Sequence, residues 1–319
     1  MTEALRICSL LPSATEIVFA LGLGGRLVGV THECDHPPEA ARLPAVTAST
    51  LGHARRDSRE IHHHIAGALH AGSSIYTLDQ AQLERLDPDL ILTQELCDLC
   101  AVSYREVQRA VHRLEGRRTV LSLEPTTLGT ILESVRQVGW AAGVAERADA
   151  LTDDLRARLD AVAAATADVG VAPRLLALEW LDPPMAAGHW VPEMARLVGG
   201  QDVLGHEGHP SKRVEWASIA AAAPEVVVRM PCGFALERTV EEHARTAWPP
   251  EWSGLPAVHA GQVYAVDGSA YFNRPGPRIV TGVRILAEIL HPGRFPRTTR
   301  PTPGAGSVSR RSAHLIRVQ

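Results

Sequence analysis

Arg6-Ile-Cys-Ser-Leu-Leu11, followed at once by Pro12-Ser-Ala-Thr-Glu16, sets the pattern of the whole chain. A short apolar run reads as a buried β-strand, a polar turn follows, and a helix is expected over 14–21. Similar runs recur at Arg26-Leu-Val-Gly-Val30, Asp89-Leu-Ile-Leu-Thr93, Thr119-Val-Leu-Ser-Leu123, Arg174-Leu-Leu-Ala-Leu178, Glu225-Val-Val-Val-Arg229 and Gln262-Val-Tyr-Ala-Val266. Helical stretches at 59–71 and 104–114 alternate with the early strands, which argues for βα units and a parallel sheet. Two helical segments, 127–142 and 146–167, then follow in succession. In the second, Leu151, Leu155, Leu159 and Val162 recur at helical spacing. The alternation resumes at Pro173 and runs to a helix at 282–290. The chain is therefore expected to be α/β, with a lobe over 1–125, a helical connector over 126–170 and a second lobe over 171–292. Residues 293–319 carry Pro, Gly, Ser and Arg without an acidic residue and are expected to be disordered.

At 319 residues the chain is too long for one ordinary core and suits two. Its 45% hydrophobic content is that of a globular protein. The net charge of −4 gives no electrostatic reason to expect nucleic acid or an anionic membrane as partner. Lys212 is the only lysine. The start, Met1-Thr-Glu-Ala-Leu, moves into strand-like sequence without a basic segment or long apolar run, so no export signal is expected in the chain as it reads. No apolar run approaches the roughly 18–20 residues of a membrane span. The five cysteines are an odd number clustered in loops, which points to reduced thiols and not to a disulfide framework.

In an open α/β sheet the residues beyond the carboxyl ends of the strands line the ligand crevice. That places Ser13, the His32-Glu33-Cys34 turn, the Glu95, Cys97 and Cys100 loop, Glu179, Trp180, the loop ending in His189 and Trp190, Cys232 and Tyr271 among the candidate ligand contacts. The two tryptophans offer flat apolar area with a polar edge, suited to a macrocyclic or aromatic ligand. Cys34, Cys97, Cys100 and Cys232 could converge on a soft metal if the lobes close on one another.

Several formal motif matches fail. His32-Glu-Cys-Asp-His36 fits the zinc-protease pattern but leaves a strand and runs into Pro37-Pro38, where a helix is disfavoured. Cys97-x-x-Cys100 lacks a second thiol pair nearby. Leu21-Gly-Leu-Gly-Gly25 follows a helix, so helix termination explains its glycines better than nucleotide binding. His62-His63-His64 cannot share one helical face and is expected at the surface. Neither a Walker loop nor a Gly-x-Ser-x-Gly elbow occurs, and no catalytic residue is expected.

The opening motif with Leu21-Gly-Leu-Gly, Leu27-Val-Gly-Val-Thr-His-Glu-Cys-Asp35, Leu86-Asp-Pro-Asp-Leu-Ile-Leu92, Gly199-Gly200, Ala223-Pro-Glu-Val-Val-Val228 and Pro275-Gly-Pro-Arg278 resembles the cobalamin and iron-siderophore substrate-binding proteins of ABC transporters, especially their cobalamin-binding branch. The resemblance covers about residues 5 to 292. It implies two Rossmann-like lobes joined by a long helix, here 146–167, with the ligand held between them. It further implies a corrinoid such as cobalamin as ligand, with a haem, siderophore or other metal chelate as alternatives, and no catalytic cofactor. The partner it implies is an ABC permease, and the protein is expected to be a monomer. The family works outside the cytoplasmic membrane, whereas the start of the chain reads as cytoplasmic. The cysteine clustering offers one alternative, a cytosolic thiol-dependent protein, an enzyme included, that handles metal or corrinoid.

Overall fold

The computed structural model describes residues 4–50, 56–70, 75–94, 118–296 and 314–318. Its first sheet is built from β1 (Ile7–Ser9), β2 (Leu27–Gly29) and, beyond the small antiparallel pair β3 (Thr47–Ser49) and β4 (Tyr76–Leu78), from β5 (Leu90–Thr93) and β6 (Thr119–Ser122). The order is β2-β1-β5-β6, every pairing parallel, with Ile7 opposite both Leu27 and Leu90. Helices cover such a sheet on both faces, which is why β1 and β5 are buried along their whole length and read as mostly apolar runs.

Helix α1 (Pro12–Ala20) begins with proline, whose missing N–H would have no partner in the first turn of a helix. It ends at Leu21, and Gly22 takes a left-handed φ of 74° just beyond, the helix termination expected of the Leu21-Gly-Leu-Gly stretch. Helix α2 (Ser58–His70) matches the 59–71 expectation within a residue, and α3 (Gln80–Leu86) is capped by Asp79, which accepts from the Gln82 amide at 2.8 Å. The expected helix at 104–114 lies outside the described residues.

The connector is a helical pair, α4 (Leu128–Ala141) and α5 (Ala145–Thr166). The Thr127 hydroxyl accepts from the Thr130 amide at 3.2 Å and fixes the start of α4. Helix α5 has 22 residues, about 33 Å of length. Its buried stripe, Ala148, Thr152, Leu155, Leu159, Val162 and Thr166, holds the helical spacing read from the sequence.

The second sheet begins with β7 (Arg174–Trp180). A run of two-residue strands follows, β8 (Met185–Ala186), β9 (Gly188–His189), β10 (Gln201–Asp202), β11 (His206–Glu207) and β12 (Lys212–Arg213), and then β13 (Val226–Arg229), β14 (Val263–Val266) and β15 (Leu315–Arg317). Its order is β12-β8-β7-β13-β14-β15, with β10 also on β7 and β9 paired to β11 outside the sheet. β7, β13 and β14 are parallel, while β8, β12 and β15 run antiparallel at the margins. Around it lie α6 (Val191–Leu197), α7 (Trp216–Ala222), α8 (Leu236–Arg245), the short α9 (Pro250–Ser253), α10 (Pro256–His259) and α11 (Gly268–Tyr271), and the long α12 (Ile279–Leu290), which starts three residues earlier than expected.

The final strand departs from the expectation of disorder at Leu315–Arg317. Leu315 is 1% exposed, and Leu315–Arg317 pairs with Val266, Ala265 and Tyr264 of β14. Leu315 and Val318 cover apolar surface that β14 would otherwise show to water, and the backbone of the segment finds its partners on that edge.

One apolar cluster runs from Ile7 and Leu92 through Ile131, Leu155 and Leu159 to Leu175, Val228 and Val283. Both lobes therefore share a core across the helical pair. Leu176, Val227, Trp252 and Val263 fill the opposite face of the second sheet. The alternation of Leu175 and Ala177 with Leu176 and Leu178 between the two cores is the period of two of a strand buried on both sides.

The interlobe cleft as candidate functional site

A cavity of about 480 Å³ lies where the strand-end loops of the two lobes face each other. His32, Glu33, Asp35 and His36 line it from the loop after β2; Gly233 and Ala235 contribute from the loop after β13; Asp267, Ser269, Ala270, Arg274 and Arg278 complete it from the stretch after β14. Residues 31–39 form turns and not a helix, so the H-E-x-x-H pattern lacks the geometry of a protease site.

Charges cross the cleft. Arg274 donates from Nη1 to Asp35 Oδ1 at 2.5 Å and from Nη2 to the Glu33 carbonyl at 3.0 Å. Arg278 grips Glu16 with two bonds, Nε to Oε2 at 2.9 Å and Nη2 to Oε1 at 2.5 Å. Glu16 belongs to α1 and is 3% exposed at its side chain, with Arg274 Nη1 a further 3.7 Å from Oε1. A fork-to-fork pair of this kind fixes orientation as well as distance. Burial works against ionisation of Asp35, yet its bond to Arg274 and the charges of Arg274 and Arg278 hold its carboxyl below the usual range. Burial and the Arg278 charge push the His36 imidazole down and favour its neutral form. Burial raises Asp267, although the amide of Ala270, which donates to Oδ1 at 2.7 Å, opposes the shift. Tyr76 donates to Glu33 at 3.0 Å, and His32 Nδ1 lies 2.8 Å from the Thr47 hydroxyl.

A second contact between the lobes is made by α2. The Ser58 amide donates to Glu242 at 2.6 Å, the Trp180 indole donates to the Ser58 carbonyl at 3.1 Å, and Arg59 pairs with Asp182 at 2.7 Å. Ile61 packs there with Trp180 and Phe234, whose rings meet edge to face at 5.5 Å.

Of the residues expected from the sequence, His32 and Glu33 line the cavity. Ser13 is buried at the start of α1, beneath Gly276 of the arginine loop. Tyr271 is half-buried with the Arg278 guanidinium 5.6 Å from its ring centre. The two tryptophans are buried: Trp180 is 8% and Trp190 6% exposed, and both indole N–H groups are spent on backbone carbonyls, that of Trp190 on Phe272 at 2.7 Å. Their large apolar area is worth more in the core than at a wet cleft. His189, at a left-handed φ of 51°, stacks on Trp190 at 5.6 Å and is pushed toward the neutral form by burial. The preceding Gly188 is required, because a Cβ there would lie 2.3 Å from the His209 carbonyl. Glu179 is half-buried; desolvation pushes it up to about 7 against the stabilising Gly188 N–H.

Of the four thiols expected to converge, the two described ones, Cys34 and Cys232, pack in different apolar groups. Cys34 is 4% exposed, and its sulfur lies within hydrogen-bonding distance of the Thr15 and Thr31 hydroxyls at 3.1 and 3.2 Å. Burial raises its pKa although those hydroxyls pull it down, so the neutral thiol is favoured and a metal-binding thiolate opposed. Cys8 is fully buried, and burial pushes it up to about 12. Cys232 is half-buried against the Trp180–Phe234 group. Among the described residues no three His, Cys, Asp or Glu side chains are placed to hold a metal ion. Glu95, Cys97 and Cys100 lie outside the described residues. Asp35, His36, Asp267, Arg274 and Arg278 were not expected as contacts, though each stands in or beside a strand-end motif.

Two α/β lobes that share a helical spine and face each other across a polar cavity define a two-lobed solute-binding protein. The periplasmic binding protein family matches residues 7–270, and the chain belongs to that family. A vitamin B12-binding protein of Vibrio cholerae is 26% identical over 296 residues, 89% of this chain and 88% of the relative. The crystal structure of a periplasmic vitamin B12 binding protein of Vibrio cholerae superposes with a TM-score of 0.66 at 24% identity, over 90% of this chain and 96% of that one. A periplasmic heme-binding protein from Roseiflexus in its apo form superposes at 0.68 with 22% identity, over 92% and 100%. No helix among the described residues is long and apolar enough to cross a membrane.

Proposed function

We propose that this protein is the substrate-binding component of an ABC-type uptake system, working outside the cytoplasmic membrane, and that its ligand is a corrinoid. The observation that carries the choice of ligand is the charge balance of the cleft. Three carboxylates, Glu33, Asp35 and Asp267, line it against two guanidiniums, and Glu16 takes up one of those guanidiniums from behind. A wall of that sign opposes a propionate- or catecholate-bearing chelate. It suits a ring whose periphery is carboxamides, able to donate to the carboxylates and accept from Arg274. The 26% identical relative named for vitamin B12 supports the same choice.

The Arg274–Asp35 contact closes across the cavity that both residues line. Capture therefore requires the lobes to part at the Arg274–Asp35 contact, with His32, Glu33, Asp35, Asp267 and Arg274 as the first ligand contacts. Tyr271 stands at the margin of that set. Sulfur contacts from Cys97 and Cys100 remain part of the proposal and are tested by the bound spectrum of a Cys97→Ser variant, which a thiolate contact would shift.

Titration calorimetry with cobalamin, cobinamide and hemin tests the assignment. A one-to-one complex with a corrinoid at micromolar affinity or tighter, and no such complex with hemin, is expected. Hemin binding without corrinoid binding, or no corrinoid heat at roughly 100 μM, would refute it.

A further inference from the structure

On the face of the second sheet turned away from α5 there is a buried charge that the cleft does not use. Arg229 ends β13 and is 0% exposed. It shares a strand face with Val227 and therefore belongs with the apolar group that contains Leu176, Val227 and Trp252. Its Nε, Nη1 and Nη2 are all buried, and no described residue accepts a hydrogen bond from any of them. Burial lowers its pKa to about 9, so it is still a cation at neutral pH.

The group beside it is aromatic. The Trp248 ring centre lies 5.8 Å from Arg229 Cζ, and Trp248 stacks on Trp252 at 4.0 Å. Trp216 meets both edge-on at 5.9 Å, and the His243 ring lies 5.1 Å from Trp248. A ring face at 5.8 Å attracts the cation but does not accept its in-plane donors, of which a guanidinium has five. An uncompensated charge in such a place is costly, and a water molecule answers the donors without answering the charge. A small anion answers both. We propose that the second lobe holds a monatomic inorganic anion of chloride size in the plane of the Arg229 guanidinium, a site separate from the ligand cleft. A single ion is favoured over an oxyanion because Trp252 and His243 are only 7% and 8% exposed, so the surroundings are already closed.

Thermal unfolding of the full chain in sodium chloride and in sodium gluconate at equal ionic strength tests the site, together with crystals grown in sodium bromide and read by anomalous scattering. The midpoint is expected to lie about 2–4 °C higher in chloride, with a saturable dependence on its concentration. Bromide is expected within hydrogen-bond distance of Arg229. An Arg229→Met variant is expected to lose the chloride dependence. Equal midpoints in the two salts, an anomalous map without bromide at Arg229, or a variant that keeps the wild-type chloride response would each overturn the proposal. If the variant does not fold, the wild-type salt series and the bromide map decide the matter by themselves.

Discussion

Along α5 the two lobes meet through aliphatic side chains, Leu155, Leu159 and Val162 against the cores on either side. Across the cleft they meet through charges, Arg278 on Glu16 and Arg274 on Asp35. The first seam excludes water and has no exposed alternative of similar energy. The second can exchange its exposed bond, Arg274 on Asp35, for water or for a ligand. One protein thus has a spine that resists change and a mouth that tolerates it, and a rocking motion about the spine follows from that difference.

The spine is where damage should cost most. Leu155→Ala removes a side chain that is 1% exposed from the shared core and is expected to lower unfolding stability by about 2–5 kcal/mol. Chemical denaturation measures this, and a loss below about 1 kcal/mol would mean that the lobes do not share a core.

Glu16→Gln comes next. It leaves the Arg278 fork without its anion at a nearly buried position, which should cost about 2–3 kcal/mol, less than for a fully buried pair because Arg278 keeps 19% exposure. The same variant should widen the molecule in solution scattering, whereas Leu155→Ala should not. An unchanged scattering curve for Glu16→Gln would show that the charged seam does not hold the lobes together.

Glu179 gives the pH dependence. Its folded pKa of about 7 lies above the ordinary value of 4.5, so the folded state binds the proton more tightly than the unfolded chain. The stability from this group is fully present below pH 4.5 and is lost as pH rises through about 7, a decline of up to about 3 kcal/mol. Glu179→Gln should flatten that part of the stability–pH curve. A wild-type slope retained in the variant would assign the titration to another group.

Asp35→Asn should be the mildest for stability. The Asp35 side chain is 68% exposed, and exposed pairs contribute about 0–1 kcal/mol. Its effect should appear in ligand on- and off-rates by stopped flow, since the bond it weakens is one that capture must break.

Most of the architecture was legible because strands buried on both faces are largely apolar, and the runs near Ile7, Leu90, Leu175, Val226 and Val263 have few other uses. The small strands from Met185 to Arg213 were not, since two residues carry no period and the backbone there follows Pro184, Gly188 and their neighbours. Leu315–Arg317 escaped because its partner strand lies about 50 residues back and its local surroundings are Ser and Arg. The site was half legible. The strand-end rule located loops that line the cavity, but within them the large and soft side chains were favoured, and those are the ones that burial claims: Trp180, Trp190 and Cys34 all turn inward. Arg274 and Arg278 face the cleft because they find carboxylates 239 and 262 residues away, a pairing with no local trace.

Helix α2 precedes β5 and β6 in the chain yet is fastened to the second lobe, with Ser58 bonded to Glu242 across 184 residues. During synthesis the amino-terminal half leaves the ribosome first. Its sheet can pair β1 with β5, and β5 with β6, on its own, but the Glu242 carboxylate that accepts from Ser58 arrives only with α8. The nascent protein should therefore lack this fastening, and the Trp180 and Phe234 contacts of Ile61, until the second lobe has been made.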